Sequence, residues 1–260
     1  MRLSFRDIMF RVWYRYISSV DRNAEVLFMN YGYNDSREKL NLGEQDLPNR
    51  VSIQLYHLLA SAVEIRDKDV VEVGCGRGGG ISYIGRCFSP NTTLGVDLDK
   101  KAVSFCNRHY QQPGLSFIRG DAQNLKLENN SCDIVISVES SHRYPDMKAF
   151  LREVTRILRP GGYFLFTDFR KDTYMEDLIR NISQSGLIVI GHRNINQEVV
   201  AALTLDDGRR RYLVKKLTPK ILHNTAMNFA GVIGSKTFKS FVTGKFIYFS
   251  YILQKGHPDI

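Results

Sequence analysis

Residues 70–80 read Val70-Val71-Glu72-Val73-Gly74-Cys75-Gly76-Arg77-Gly78-Gly79-Gly80. A β-branched apolar run meets an acid and then five glycines within seven residues. Glycine reaches φ > 0 without a Cβ penalty and lets backbone approach a ligand closely. The stretch therefore predicts a strand entering a tight, ligand-facing turn. The residues that follow, Ile81-Ser82-Tyr83-Ile84-Gly85-Arg86-Cys87-Phe88, have helical character. A strand, a Gly-rich turn and a helix N-terminus together make a cofactor cradle.

The glycines alone do not name the cofactor. Gly74, Gly76 and Gly79 satisfy the dinucleotide spacing G-x-G-x-x-G, and Asp97 stands 23 residues after Gly74, the reach of one βαβ unit. Glu72, two residues before Gly74, separates the readings. The pattern E-x-G-x-G-x-G resembles motif I of class I S-adenosylmethionine (SAM) methyltransferases. In that superfamily the loop faces an amino-acid tail instead of a pyrophosphate.

Further residues carry the same resemblance. Asp97 ends a second apolar run, where a carboxylate can accept from both hydroxyls of a ribose. Gly120-Asp121-Ala122 ends a third; Asp121 can meet the adenine amino group, with Leu98 and Ala122 sandwiching the ring. An N-cap role competes for Asp97, and Asp99 suits it better. The stretch 151–162, LREVTRILRPGG, resembles the helix and turn after strand four in the superfamily. The resemblance implies SAM as cofactor, with S-adenosylhomocysteine as product. The cofactor set is then Glu72, Gly74, Cys75, Gly76, Gly78, Gly79, Asp97, Leu98, Asp121, Ala122 and Glu139. Glu72 is expected to serve the ammonium end, directly or through water or Arg77.

Residues 67–190 alternate strand and helix, as in a doubly wound sheet. Strands are expected at 69–73, 92–97, 115–119, 132–138, 162–167 and 187–192, with helices near 79–88, 100–110, 147–158 and 173–183. Pro160-Gly161-Gly162 is read as the stop after the fourth helix and the turn into the fifth strand. A helix is expected at 51–61. Residues 194–240 should be helical and basic, and 245–254 a late strand. The fold is thus an α/β Rossmann-like methyltransferase with a mostly parallel seven-stranded sheet and an antiparallel last strand. Its parts are a helical N-terminal lid or substrate segment (1–66), a SAM-binding core (67–193), and a helical cap with the final strand (194–260).

The chain has 260 residues, of which 43% are hydrophobic, enough for one α/β domain with elaborations. Its four cysteines show no C-x-x-C spacing. Neither a zinc site nor a disulfide scaffold is suggested, no metal set is visible, and a reducing, cytoplasmic setting is the default. No apolar run approaches the length of a transmembrane helix, and the N-terminus lacks a signal-peptide pattern. It is amphipathic instead: Phe5, Ile8, Met9, Val12, Trp13, Tyr16, Ile17 and Val20 recur at helical spacing among Arg2, Arg6, Arg11 and Arg15. Such a segment packs on the domain, closes over a greasy substrate, contacts a membrane surface or serves as a transit peptide. The net charge of +9 is concentrated at the ends, as in Arg209-Arg210-Arg211 and Lys215-Lys216. That charge is a solvated face, or attracts anionic lipid, phosphate or an acidic carrier protein. No RNA-binding signature accompanies it. Oligomeric state is not legible.

The acceptor side centres on Ser137-Val138-Glu139-Ser140-Ser141-His142-Arg143-Tyr144-Pro145. It lacks the N/D-P-P-Y/F motif of many nucleic-acid methyltransferases and the double-glutamate hairpin of arginine methyltransferases. With Asn30-Tyr31-Gly32-Tyr33, Leu47-Pro48-Asn49-Arg50, Leu55-Tyr56-His57, Gly78-Gly79-Gly80 and Thr167-Asp168-Phe169-Arg170, it resembles the phthiotriolone and phenolphthiotriolone dimycocerosate O-methyltransferases. More distantly, E-S-S-H is similar to a segment of sterol and tocopherol C-methyltransferases. The closer resemblance implies O-methylation of a polyketide- or lipid-like hydroxyl, free or carrier-bound, in secondary metabolism. C- or N-methylation of a prenyl, sterol or amine acceptor, and a SAM-binding cyclase or scaffold, are the competing readings. A hydroxyl is a weak nucleophile and needs a base; His142 has the pKa for it, with Glu139 orienting it or contacting the cofactor. Tyr31, Tyr33, His142, Tyr144 and Phe169 are the expected acceptor-side residues, and Asp168 and Arg170 could close the site.

Overall fold

The β-branched runs form strands, and their two-residue side-chain period sorts the core onto two faces. Val70, Ile134, Ile136 and Leu165 point to one face; Val71, Val73, Val135, Phe164 and Phe166 point to the other. The central strands are covered on both faces and are near-continuous apolar runs. The computed structural model describes residues 16, 20, 21, 23–37 and 40–257. The amphipathic N-terminal run lies almost wholly outside them.

The strands are β1 (Asp69–Val73), β2 (Thr92–Asp97), β3 (Leu115–Arg119), β4 (Cys132–Val138), β5 (Leu158–Lys171), β6 (Leu187–Asn194) and β7 (Phe246–Lys255). They lie in the order β3-β2-β1-β4-β5-β7-β6. The pairs from β3 to β5 are parallel, and β7 is inserted antiparallel to both β5 and β6. This is the expected mostly parallel sheet with an antiparallel last strand. The helices are α1 (Arg50–Ala60), α2 (Gly79–Cys87), α3 (Lys100–His109), α4 (Met147–Ile157), α5 (Met175–Ser183), α6 (Asn196–Leu205), α7 (Asp207–Leu217), α8 (His223–Phe229) and α9 (Lys236–Val242). Asp99 caps α3 through Lys101 N at 2.8 Å, and Asp146 caps α4 through Ala149 N at 2.9 Å. Each such cap typically stabilises by ~1 kcal/mol.

The N-terminal segment is expected to be helical, but residues 23–37 and 40–46 contain no helix and run as irregular chain and turns against the core. Two boundaries also differ from expectation. Pro160-Gly161-Gly162 is not a turn before β5 but an irregularity inside it. Leu158 pairs with Cys132 and Tyr163 with Ile134, so five positions of β5 span two of β4. Gly161, at φ 77°, takes up the excess. Helix α5 begins at Met175, because Asp172–Tyr174 forms a short 3₁₀ turn first. The N-terminal segment, core and C-terminal segment share one apolar cluster, which includes Tyr33, Ile53, Ile136, Leu165, Leu203 and Phe241.

Candidate active site

The carboxyl ends of β1, β2, β4 and β5 meet on one edge of the sheet, where open α/β folds bind ligands. A cleft of about 440 Å³ opens there, lined by Gly74, Gly76, Asp97, Leu98, Asp121 and Ala122, among others. That volume suits a small ligand. The backbone between β1 and α2 is left-handed at Gly74 (φ 81°), Gly76 (φ 54°) and Gly78 (φ 77°). A Cβ on Gly76 would meet nothing nearer than Met29 Sδ at 4.0 Å, so this glycine presents bare backbone to the cleft. Gly76 N donates to Asp97 Oδ2 at 2.8 Å, and Asp99 N donates to Oδ1 at 2.8 Å. Burial raises the Asp97 carboxyl above its usual range. Cys75 and Tyr144 also line the cleft.

Three of the expected cofactor residues stand behind this surface. Gly78 and Gly79 do not line the cleft; they make room for protein. A Cβ on Gly78 would lie 2.8 Å from the Phe117 and Tyr110 rings, and one on Gly79 would lie 2.6 Å from Leu27 O. The bare Gly79 lets Leu27 and Phe28 lie against the loop, and the bare Gly78 lets the Tyr110 and Phe117 rings close on it. Glu72 is fully buried and accepts from Tyr56 Oη at 2.6 Å. Burial pushes its carboxyl up to about 7. Arg77 does not assist Glu72. It is buried against Asp21, with Nη2 3.0 Å from Oδ2, and its guanidinium sits 3.7 Å from the Phe105 ring centroid. Asp21 also accepts from Glu25 N and Val26 N, so this ion pair ties the N-terminal segment down.

A smaller cavity of about 160 Å³ adjoins the cleft, and Phe28, Met29, Asn30, Glu139 and Arg143 line both. His142, Tyr31 and Phe169 line the smaller one. The His142 ring lies 4.4 Å from Phe169, and Tyr31 packs edge-on to Phe169 at 5.5 Å. Tyr33 and Tyr144 depart from expectation. Tyr33 is fully buried in the core, and its backbone N donates to Val51 O at 2.9 Å. Tyr144 faces the larger cleft, where its hydroxyl donates to Ser140 Oγ at 2.9 Å.

Glu139 does not orient His142. The residue that does is Asp168, whose Oδ1 lies 2.7 Å from His142 Nδ1 and whose Oδ2 accepts from His142 N at 2.9 Å. Ser141 Oγ and Phe169 N also donate to this carboxylate, and Arg170 Nη1 lies 3.2 Å away. Burial alone would raise the Asp168 carboxyl, but these partners hold it below its usual range. Arg143 Nε donates to His142 Nε2 at 3.0 Å. Arginine has no acceptor, so Nε2 carries the lone pair and Nδ1 the proton. Burial pushes the imidazole down to about 4, outweighing the opposite pull of Asp168. The ring is therefore neutral at physiological pH, but it is a weaker base than the ordinary imidazole pKa suggests, because burial disfavours its charged form.

Glu139 is itself unusual: a non-glycine residue at φ 46°, a conformation that costs energy and clusters at functional sites. Its Oε1 accepts from Tyr31 N and from Tyr248 Oη, and burial pushes its carboxyl up to about 8. It stands where cleft and cavity join. The pairing of Asp168 with His142, and the placing of Phe28, Met29 and Asn30 along both spaces, escaped the sequence reading, although Thr167-Asp168-Phe169-Arg170 and Asn30-Tyr31-Gly32-Tyr33 carried the signals.

Comparison with known proteins agrees with this geometry. Residues 71–166 match a family model described as a methyltransferase domain. The phthiotriol/phenolphthiotriol dimycocerosates methyltransferase of Mycobacterium tuberculosis is 37% identical over 246 residues, covering 94% of this chain and 91% of the relative. A fatty-acid O-methyltransferase of Mycolicibacterium smegmatis is 42% identical over 212 residues, covering 81% and 77%. Among solved structures, the [4+2]-cyclase SpnF aligns with a TM-score of 0.70 at 16% identity, covering 95% of each chain. At that identity the likeness speaks for the fold alone.

Proposed function

This chain belongs to the family of phthiotriol/phenolphthiotriol dimycocerosates methyltransferases, and we propose that it transfers a methyl group from SAM to a hydroxyl of a lipid- or polyketide-like molecule. The observation that carries the reading is the junction of cleft and cavity at Glu139 and Arg143, which sets a cofactor-sized space beside a neutral histidine. SAM fits the donor set. Gly76 offers backbone with no side chain in the way, and Asp97 offers a carboxylate to a diol. Leu98 and Ala122 offer apolar walls, and Asp121 an acceptor beside them. When bound, SAM supplies an electrophilic methyl carbon on a sulfonium sulfur.

The chain's residues do the rest. Tyr31 and Phe169 wall the acceptor. Once Arg143 Nε gives up its bond to His142 Nε2, that nitrogen accepts the hydroxyl proton as the O–C bond forms and the methyl–sulfur bond breaks, leaving S-adenosylhomocysteine. Asp168 holds the ring in the tautomer that permits this. Such base assistance typically contributes ~10²–10⁴-fold, and alignment of the reacting atoms ~7–11 kcal/mol. The three arginines on the cavity wall, Arg143 included, already have protein partners. Arg210 donates to Asp206, Ala230 O, Asn30 O and Tyr31 O, and Arg209 to Glu25 O and Asn49.

The test is release of S-adenosylhomocysteine with long-chain secondary alcohols, diols and fatty acids, followed by mass spectrometry of the product. An oxygen-linked methyl on an alcohol is expected. Turnover only with fatty acids, a carbon-linked methyl, or cofactor binding without turnover on any acceptor would each overturn the proposal.

A further inference from the structure

From Gly208 to Pro258 the chain carries ten lysines and arginines and no aspartate or glutamate. Helix α7 opens this stretch and is two-sided. Leu213, Val214 and Leu217 wall the small cavity, while Tyr212, Lys215 and Lys216 lie on the solvent side. The 3₁₀ turn Lys220–Leu222 follows at once, and in it Ile221 is 90% exposed. Leu222 and Tyr212 are exposed beside exposed Lys220 and Lys215. Apolar side chains left in water among lysines are what an interfacial surface requires: the apolar groups enter the headgroup region and the cations meet anionic lipid. Among these cations, Lys216 is engaged with Glu25 at 2.9 Å and Arg211 with Asp207 at 2.7 Å.

We infer that the outer face of α7 and the turn after it docks on an anionic lipid surface. The inference rests on the lipid-acceptor reading for its purpose. A cavity of about 160 Å³ lies below the ~300–1,000 Å³ of small-ligand sites, so it takes the reacting end of a long acceptor and leaves the chains outside. The helix that walls that cavity is the one that carries the docking face. Charge selects the occupant. Tyr16 Oη donates to Leu217 O at 3.1 Å, so the N-terminal segment meets the end of this helix, while the lysine-rich outer face, with no acid beside it in the sequence from Gly208 to Pro258, attracts an anionic membrane. Among the described residues no helix is long and apolar enough to cross a membrane, so the contact is peripheral.

The experiment is co-sedimentation of the full-length protein with vesicles of phosphatidylcholine, and with vesicles of phosphatidylcholine and phosphatidylglycerol in equal parts. Binding to the anionic vesicles that weakens with added salt is expected. The double variant Lys215→Gln/Lys220→Gln, and separately Ile221→Ser, should each weaken it about tenfold or more. S-adenosylhomocysteine affinity should be unchanged in both variants, which reports intact folding. No binding, equal binding to neutral vesicles, full binding by these variants, or binding to an acyl carrier protein with none to vesicles would overturn the inference. Vesicle binding is read without turnover, so failure of the hydroxyl-methylation proposal leaves this result standing and the reverse also holds.

Discussion

Asp168 Oδ1 lies 2.7 Å from His142 Nδ1, joining the end of β5 to the turn after β4 in one buried pair. The pair leaves Nε2 as the basic nitrogen. We expect His142→Gln to lower kcat by ~10²–10⁴-fold without weakening S-adenosylhomocysteine binding. Asp168→Asn, which removes the charge that fixes the tautomer, should lower kcat by about tenfold or more, up to the same limit. Wild-type kcat for His142→Gln, measured by product-cofactor release, would remove His142 from the chemistry.

Arg143 covers the nitrogen that must take the proton. Its charge also holds the imidazole down, as one of the causes after burial. Arg143→Ala should therefore raise the His142 pKa above its value of about 4. The acid limb of the kcat profile should move to higher pH with it, because protonated His142 accepts nothing. An acid limb that stays in place, or moves down, contradicts the assignment of that limb to His142.

Asp97 is the cleft's buried carboxylate, held by Gly76 N and Asp99 N. Asp97→Asn keeps the shape and one acceptor but loses the charge and the second acceptor. Loss of charged hydrogen bonds of ~1–3 kcal/mol corresponds to about 10–100-fold weaker cofactor binding. Calorimetric titration with S-adenosylhomocysteine measures it. Unchanged affinity would move the ribose contact elsewhere.

Glu139 and Glu72 make stability depend on pH in the direction opposite to a salt-bridged acid. In the folded chain their carboxyls hold protons up to about 8 and about 7, respectively, while unfolded glutamate releases its proton near ~4.3. Below the unfolded value both states are protonated and nothing changes. Between the unfolded and folded values the folded state binds more protons, so stability falls as pH rises. A fully coupled group changes stability by about 1.4 kcal/mol per pH unit in that window. Glu139→Gln should flatten the decline, as read from urea unfolding at mildly acid and mildly alkaline pH. An unaltered slope would show that Glu139 is ionised in the folded protein.

The sequence by itself determined what repeats locally. Apolar runs ending in Gly74, Asp97 and Gly120 marked where strands stop, and strand ends in an open α/β sheet are where ligands sit. Glu72 and the glycine spacing pointed to a methyl donor instead of a dinucleotide. These signals are legible because strand pattern, turn chemistry and capping depend on neighbours a few residues apart. The tertiary structure alone decided which of similar residues does what. Tyr31 and Tyr33 look alike in sequence, yet one lines the cavity and the other fills the core. Gly76 faces the cleft, while Gly79 only admits Leu27. Pro160-Gly161-Gly162 reads as a turn, but the register of β4 against β5 absorbs it as an irregularity. His142 acquired Asp168 and not Glu139 as its partner, because parallel pairing of Val138 with Thr167 brings the two strand ends together. Such choices rest on packing and hydrogen bonds between residues distant along the chain, and only the folded sheet specifies them.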